Sequence, residues 1–578
     1  MKKMGVSSLI DSAVYRAIER DVEVFVKEQL KEYKPQKAGN KTIRDSVWGS
    51  VEYSNWEMQL IDSPLFQRLR SISQVGLAYL TYPAARHTRF EHSLGVLAAA
   101  KRMCEKLSKD TLSDFKFKQE YMDKVYLAAL LHDVGHCFYS HLSETIYGEF
   151  DDFVALTDGF VREIERKPKP HEILAFIIVN TESFKTFFEN HISYPRESNY
   201  NVSNLFHDVG RIIVGAYIER DNVSLSCLTS IVNGPFDADK LDYIKRDSLT
   251  TGLSLSYDVE RLLTKIHIHV LRGENNKTEY RLVIQFNGIT ALEELTFCKI
   301  MLHSYIYYHQ KVLTSEIMIK DYIRGLYNLG ILKNYADFLH HTDASILDIA
   351  ERQNGANPFP KYSNIDLVGL SNDIKTRRLP KRCFELSYTN VESTEKDEIC
   401  AESIRTQCQR IISECSASRM SVDDLIKEAS ILASIIAREN SVPLDTLISE
   451  FIELTYDELL DKRNDFYLRL TEVYSKKNKP VDFTLFDIYI AFPKHVNYGS
   501  SSEKIVLGKD KKGLLTINDF VKLDDWAESF NSNKWRAYIF VSDKIDKTIA
   551  LEVAQMFILK GKARIKNPTA YIRDIITD

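Results

Sequence analysis

The eight cysteines of this 578-residue chain (Cys104, Cys137, Cys227, Cys298, Cys383, Cys400, Cys408 and Cys415) contain no CxxC pair. That scatter excludes a thiolate zinc site of the usual spacing and fits a reducing compartment. No apolar run approaches membrane-spanning length, which excludes a helical membrane protein. An excess of positive charge is also missing. A formal net charge of −5 argues against a protein devoted to coating nucleic acid. Two lysines open the chain, but Asp11 cuts short the apolar stretch behind them, so no signal peptide is read there. Internal repeats and low-complexity tracts are absent. What remains, 44% hydrophobic and 27% charged residues, is ordinary for a globular protein, expected in the cytoplasm.

Against this background one stretch stands out, LAALLHDVGHCFYSH from Leu127 to His141. An apolar helical run (Val125, Leu127, Ala128, Leu130, Leu131) delivers His132 and Asp133 side by side. Buried charge must be paired or coordinate a metal, and nitrogen plus oxygen donors suit a divalent ion of borderline hardness. His136 follows His132 by one helical turn, so a continuing helix would turn both to one side.

Along the chain, residues 1 to about 35 read as a helix. Gly49 marks a turn, and Asp62-Ser63-Pro64 reads as a helix start with proline in the first turn. Helices dominate from His92 to about residue 260. The runs 265–271 and 279–286 read as a β-hairpin, with His267 and His269 on its exposed face. A long helical pattern covers Ala291 to about Leu332, residues 354–364 read as a linker, and residues 401–475 read as helical. The tail is mixed, with strands at 487–492 and 534–541, a polar loop between them and a final helix. The expected domains are 1–40, a helical segment; 41–334, the catalytic core; 335–475, a regulatory or oligomerisation region; and 476–578, an α/β lobe.

Two further segments complete a ligand set. His92 sits in HTRFEHSLGV (87–96) at the start of a helix, and Asp239 sits in FDADKLDYIKRD (236–247). In a helix Asp239, Tyr243 and Asp247 share one stripe. His92, His132, Asp133 and Asp239 supply two nitrogens and two oxygens from three helices, leaving positions open for substrate.

These segments, with DSVWGSVEY and IDSPLFQRLRSISQVGLAYLTYP upstream, resemble the HD superfamily of metal-dependent phosphohydrolases. Within it the chain is most similar to the deoxynucleoside triphosphate triphosphohydrolases, especially the branch with the vertebrate SAM-and-HD-domain enzymes. The likeness covers about residues 41–330, and no stretch resembles a sterile-alpha-motif domain. It implies a mainly α fold, an HD-domain helical core with small β-hairpin insertions and a mixed α/β C-terminal lobe. It implies a divalent cofactor (Mg, Mn, Fe or Zn) on His92, His132, Asp133 and Asp239. Arg89 and Lys240 would hold phosphate oxygens, and His136, His141 and His171 would act near the scissile phosphate. Gln74, Tyr243, Asp247 and Tyr308 would contact the sugar or base.

The implied reaction cleaves a dNTP to deoxynucleoside and inorganic triphosphate. Lys41, Asp62, Gln67 and Arg70, with Arg377 and Lys381, match positions that recognise a nucleotide activator and join subunits. Thr42 and Arg44 depart from the family pattern there. A homodimer or tetramer is the implied assembly, with no membrane partner and nucleic acid not expected as the main substrate. The alternatives carried forward are a phosphodiesterase or nuclease on cyclic or single-stranded nucleotides, and a nucleotide sensor without turnover. A second His-Asp pair, His207-Asp208, is read as structural.

Overall fold

The computed structural model describes residues 9–393 and 451–565, apart from 37–38, 111–112, 114, 196–199, 274–276, 351–356, 363–364, 453, 495–503, 509–512 and 560–562. The helix expected over 401–450, parts of the linker at 354–364 and most of the polar tail loop lie outside these residues. The chain forms two compact units. The first comprises Met1–Pro358, Asp366–Arg377 and Asn497–Trp526, and the second comprises the remainder. The fold is mainly α with small sheets, as the sequence led us to expect. Among the described residues no helix is long and apolar enough to cross a membrane.

In the first unit, α1 (Ala13–Leu30) starts on a Ser12 cap and buries Tyr15, Ile18, Val22, Phe25 and Val26 at helical spacing. The strands β1 (Lys41–Asp45) and β2 (Gly49–Tyr53) form a hairpin. Its tip needs Gly49 at φ +78°, a conformation L residues avoid. The Asp45 carboxylate accepts from the backbone N–H groups of Val47 and Trp48, which fixes where the Trp48 indole leaves the turn.

Three helices then assemble the site. Helix α2 (Arg89–Ser108) packs on both α3 (Gln119–Leu131) and α6 (Ala238–Thr251), while α4 (His141–Tyr147) and α5 (Pro170–Asn180) close one side. Gly95 lets α2 approach α6, since a Cβ there would lie 1.9 Å from Asp242 Oδ1. Gly135 lets the turn after α3 lie on α5, where a Cβ would be 2.1 Å from the His171 carbonyl oxygen.

The predicted hairpin is present as β3 (Ile266–Arg272) and β4 (Thr278–Gln285), paired from Ile266↔Ile284 to Arg272↔Thr278. The strand Lys504–Leu507 joins β4 in parallel. His267 corrects one expectation. It is buried, with Nδ1 2.5 Å from an Asp110 carboxylate oxygen, because this face of the strand is covered. The helical run after Ala291 is not continuous either. A π-turn at His303–Tyr307 separates α7 (Ile289–Leu302) from α8 (Gln310–Asn328). The short α9 (Asp343–Leu347) and then α10 (Leu367–Lys375) follow.

The second unit has a three-stranded antiparallel sheet, with β7 (Ala537–Val541) between β5 (Lys381–Leu386) and β6 (Ile488–Ala491). The helices α11 (Tyr456–Lys476) and α12 (Lys547–Ala554) pack with it around Phe466, Leu470, Trp535 and Ile539.

Candidate active site

Helix α2 begins at Thr88, whose N–H donates to Glu91 Oε2 over 2.8 Å. Glu91 is therefore a capping residue, and Arg89 is free to turn inward. His92 follows one turn later, wholly buried. Its Nδ1 lies 2.7 Å from Asp242 Oδ2, so Nδ1–H donates to that carboxylate. The Nε2 atom then faces Asp239 Oδ1 at 3.0 Å and Asp133 Oδ2 at 3.8 Å. His132 caps the C-terminus of α3, and its Nδ1 lies 2.9 Å from the Ala129 carbonyl oxygen. A carbonyl only accepts, so Nδ1 carries the proton and Nε2 presents a lone pair 3.2 Å from Asp133 Oδ1.

These donors fit a divalent cation. The Nε2 atoms of His92 and His132 are buried without a hydrogen-bond partner among the described residues, and with an Asp239 oxygen they lie within 4.8 Å of one another. Each imidazole has its other nitrogen fixed, the arrangement that orients metal-binding histidines. Charge points the same way. Burial opposes a positive His92, yet the carboxylates of Asp239 and Asp242 beside it raise it to about 10. Carboxylates that favour a proton on Nε2 also favour a metal there.

Asp242 is itself held from three sides. It accepts from Trp48 Nε1 at 2.7 Å, from His92, and from Arg246 Nε and Nη2 at 2.8 Å, while Arg246 Nη2 also reaches Asp45. Burial would raise the Asp242 carboxyl, but Arg246 and His92 hold it down to about 2. The β1–β2 hairpin thus supports a ligand through one intermediate carboxylate. Asp242→Asn is expected to weaken Mn²⁺ binding about 10- to 100-fold, read by titrating the metal against a chelator. Unchanged affinity would remove Asp242 from this role.

The helix does not continue beyond Leu131, which corrects the idea that His136 shares a helical face with His132. Gly135 and the turn around it send His136 onto α5 instead, its ring 3.8 Å from that of His171 and nearly parallel. Glu144 Oε1 lies 3.0 Å from His136 Nδ1 and 2.8 Å from His171 Nδ1, and Oε2 lies 3.2 Å from His141 Nδ1. Burial disfavours the Glu144 anion, but His171 and His141 hold it well below the usual carboxylate range. Burial, then Arg89 and His171, push His136 down to about 3. The cluster is an anionic carboxylate surrounded by three imidazoles. Sequence reading missed Glu144, although its place three residues after His141 on a helix start was a usable signal.

Arg89 is buried and donates to Asp133 at 2.9 Å, to Ser140 Oγ at 3.0 Å and to the Gln74 carbonyl at 3.4 Å. Lys240 turns back onto its own loop, binding Gly234 O at 2.7 Å and Asp237 Oδ2 at 2.6 Å. It is not alone. Burial and the ammonium groups of Lys240 and Lys169 push Lys299 down to about 8. Lys169 feels Asp239 as well. Neither Lys169 nor Lys299 stands in a motif that the sequence could reveal.

At the far end, Asp247 is buried on α6 with His87 Nε2 2.8 Å from Oδ1, and Tyr307 OH donates to Oδ2 over 2.6 Å. Tyr307, which sequence reading did not name, is the tyrosine that reaches Asp247, and the ring of Tyr308 meets His303. Tyr243 is half-buried one turn before Asp247.

The activator candidates form separate pairs. Lys41 Nζ lies 3.8 Å from Asp62 Oδ2, and Gln67 Oε1 accepts from Arg70 Nε at 2.7 Å. Arg377 adopts φ +58° and donates to the Leu80 carbonyl. Lys381 belongs to the second unit and pairs with Asp543. Asp208 binds Lys124 and Arg220, in keeping with a structural His207-Asp208.

Residues 89–199 match the HD domain family. The chain therefore carries an HD domain, a metal-dependent hydrolase fold, and six of the seven expected metal-binding and catalytic histidines and aspartates, all but Asp239, lie in that span. An uncharacterized protein of Methanocaldococcus jannaschii is 29% identical over 338 residues, 57% of this chain and 61% of that one. A putative HD domain-containing protein of Acanthamoeba polyphaga mimivirus is 27% identical over 61% of this chain and 75% of its own length. The deoxynucleoside triphosphate triphosphohydrolase SAMHD1 of Bos taurus is 28% identical over 49% of this chain, which spans 46% of that enzyme. Among solved structures, a hypothetical protein from Aquifex aeolicus matches with a TM-score of 0.51 at 21% identity, over 89% of this chain and 99% of that one, and shares the fold.

Proposed function

We propose that this protein hydrolyses deoxynucleoside triphosphates to deoxynucleoside and inorganic triphosphate. The observation that carries the reading is the convergence of two buried, unpartnered imidazole Nε2 atoms with Asp133 and Asp239, beside Arg89 and the Glu144 histidine cluster. The likeness to a triphosphohydrolase in cattle supports the substrate class.

A divalent cation on His92, His132, Asp133 and Asp239 would neutralise phosphate charge as a Lewis acid. Arg89 would add a guanidinium fork beside it, and Lys169, Lys240 and Lys299 a cationic rim for the rest of the triphosphate. Water adds at the α-phosphorus, the bond to the 5′-oxygen breaks, and that oxygen takes up a proton. His171 and His141, hydrogen-bonded to Glu144, are the donors in this reading, whereas His136 is neutral at ordinary pH and orients rather than donates. Tyr243, Asp247, Tyr307 and Gln74 would frame the sugar. Lys41, Asp62, Gln67 and Arg70 are the proposed seat of an activating nucleotide, formed between copies of the chain.

The test incubates purified protein with dNTPs in pairs, one as candidate substrate and one as candidate activator, with Mg²⁺ or Mn²⁺. Release of triphosphate is expected. Pyrophosphate or monophosphate as product, or tight dNTP binding without hydrolysis under every condition, would overturn the reading.

A further inference from the structure

The turn that joins the HD pair to α4 runs through two consecutive residues of positive φ, Tyr139 at +51° and Ser140 at +52°. Neither is glycine, so the surroundings must hold them there. Two contacts do so. Ser140 Oγ donates to the Ser73 carbonyl over 2.6 Å, and Asp343 Oδ1 accepts from the Tyr139 N–H over 2.6 Å. The other oxygen of Asp343 accepts from the Ser73 N–H over 2.8 Å. One carboxylate from α9 therefore ties together two segments that lie 204 and 270 residues from it in sequence.

Asp343 does not spend its oxygens on its own helix. That end is capped by Thr342, whose Oγ1 accepts from the Ser345 N–H. What the clamp holds is part of the candidate site. Ser140 Oγ accepts from Arg89 Nε at 3.0 Å, Arg89 Nη2 lies 3.4 Å from His141 Nε2, and the Arg89 N–H donates to the Ile72 carbonyl. We propose that Asp343 is a positioning residue for the hydrolysis reaction: by pinning Tyr139 and Ser73 it sets where Ser140 aims Arg89 and where His141 stands. The inference rests on the proposed dNTP hydrolysis for its kinetic arm only.

The test compares full-length wild type with Asp343→Asn, which keeps the volume but turns an amide donor toward one of the two N–H groups. Thr342→Ala, which disturbs only the helix cap, is the control. Asp343→Asn is expected to lower kcat roughly 10- to 100-fold, the scale of a misplaced catalytic group, with KM and bound Mn²⁺ little changed. Amide exchange should rise in peptides covering 72–74 and 137–141, and the control should show neither effect. Asp343→Glu keeps both acceptors one methylene displaced and should fall between, which preserves the test if the amide variant folds poorly. Wild-type kcat in Asp343→Asn, or unchanged exchange at 137–141, would overturn the clamp. If wild type hydrolyses no dNTP, the functional reading fails by itself, and the exchange measurement still decides whether Asp343 holds the turn.

Discussion

Replacing both His132 and Asp133 with alanine is expected to abolish metal binding and to lower turnover by a factor on the order of 10³ or more, since the cation's several kcal/mol of charge stabilisation is lost. His132 Nε2 and Asp133 provide half of the donor set, and the pair left behind, His92 and Asp239, comes from two other helices. The change has a side effect. Asp133 also anchors Arg89, and removing one partner of a buried ion pair costs about 3–5 kcal/mol. Asp133→Asn is the cleaner companion, because its amide oxygen still accepts from Arg89 while the ligand charge is gone. Metal content by mass spectrometry, thermal melting and triphosphate release together check the prediction. Turnover near the wild-type rate in either protein, with the fold intact, would rule out this centre.

Glu144→Gln is expected to reduce kcat by about 10³- to 10⁴-fold, the scale seen when the carboxylate behind a catalytic histidine becomes an amide. Glu144 accepts from His171 and His141 and faces His136, all within 3.2 Å. An amide has one oxygen to offer and turns an NH₂ toward at least one of these rings, which forces a tautomer change. Metal binding should survive, because the four proposed ligands do not include Glu144. The measurement is kcat with bound Mn²⁺ determined on the same sample. Loss of metal in step with activity would instead make Glu144 a ligand, and unchanged kcat would make the cluster structural.

The alternation and spacing of apolar residues made much of this chain legible. The hairpin over residues 265–286, the helix carrying Asp239, Tyr243 and Asp247, and the proline-started turn at Ser63-Pro64 all follow from local pattern. Local pattern failed where a neighbour decided the outcome. His267 looked exposed because strand alternation cannot report that Asp110 covers it. Tyr307 went unnamed because the π-turn at His303–Tyr307, which brings it to Asp247, leaves no mark on helical periodicity. Lys169, Lys299 and Asp242 are ordinary residue types in ordinary contexts, and only packing gives each its neighbours.

By itself the sequence determined the chemistry on offer: two histidines and two aspartates in the order of an HD domain, three of the four on or beside helices whose apolar positions bury them. It determined this because residue type and periodicity are local properties, written within a few turns of chain. The tertiary structure alone decided that the helix stops at Leu131, that His136 stacks on His171 rather than facing His132, and that Glu144 and Asp343 hold the groups around them. Those outcomes depend on contacts between segments up to 270 residues apart, formed only when a glycine permits close approach and a distant carboxylate meets two backbone N–H groups.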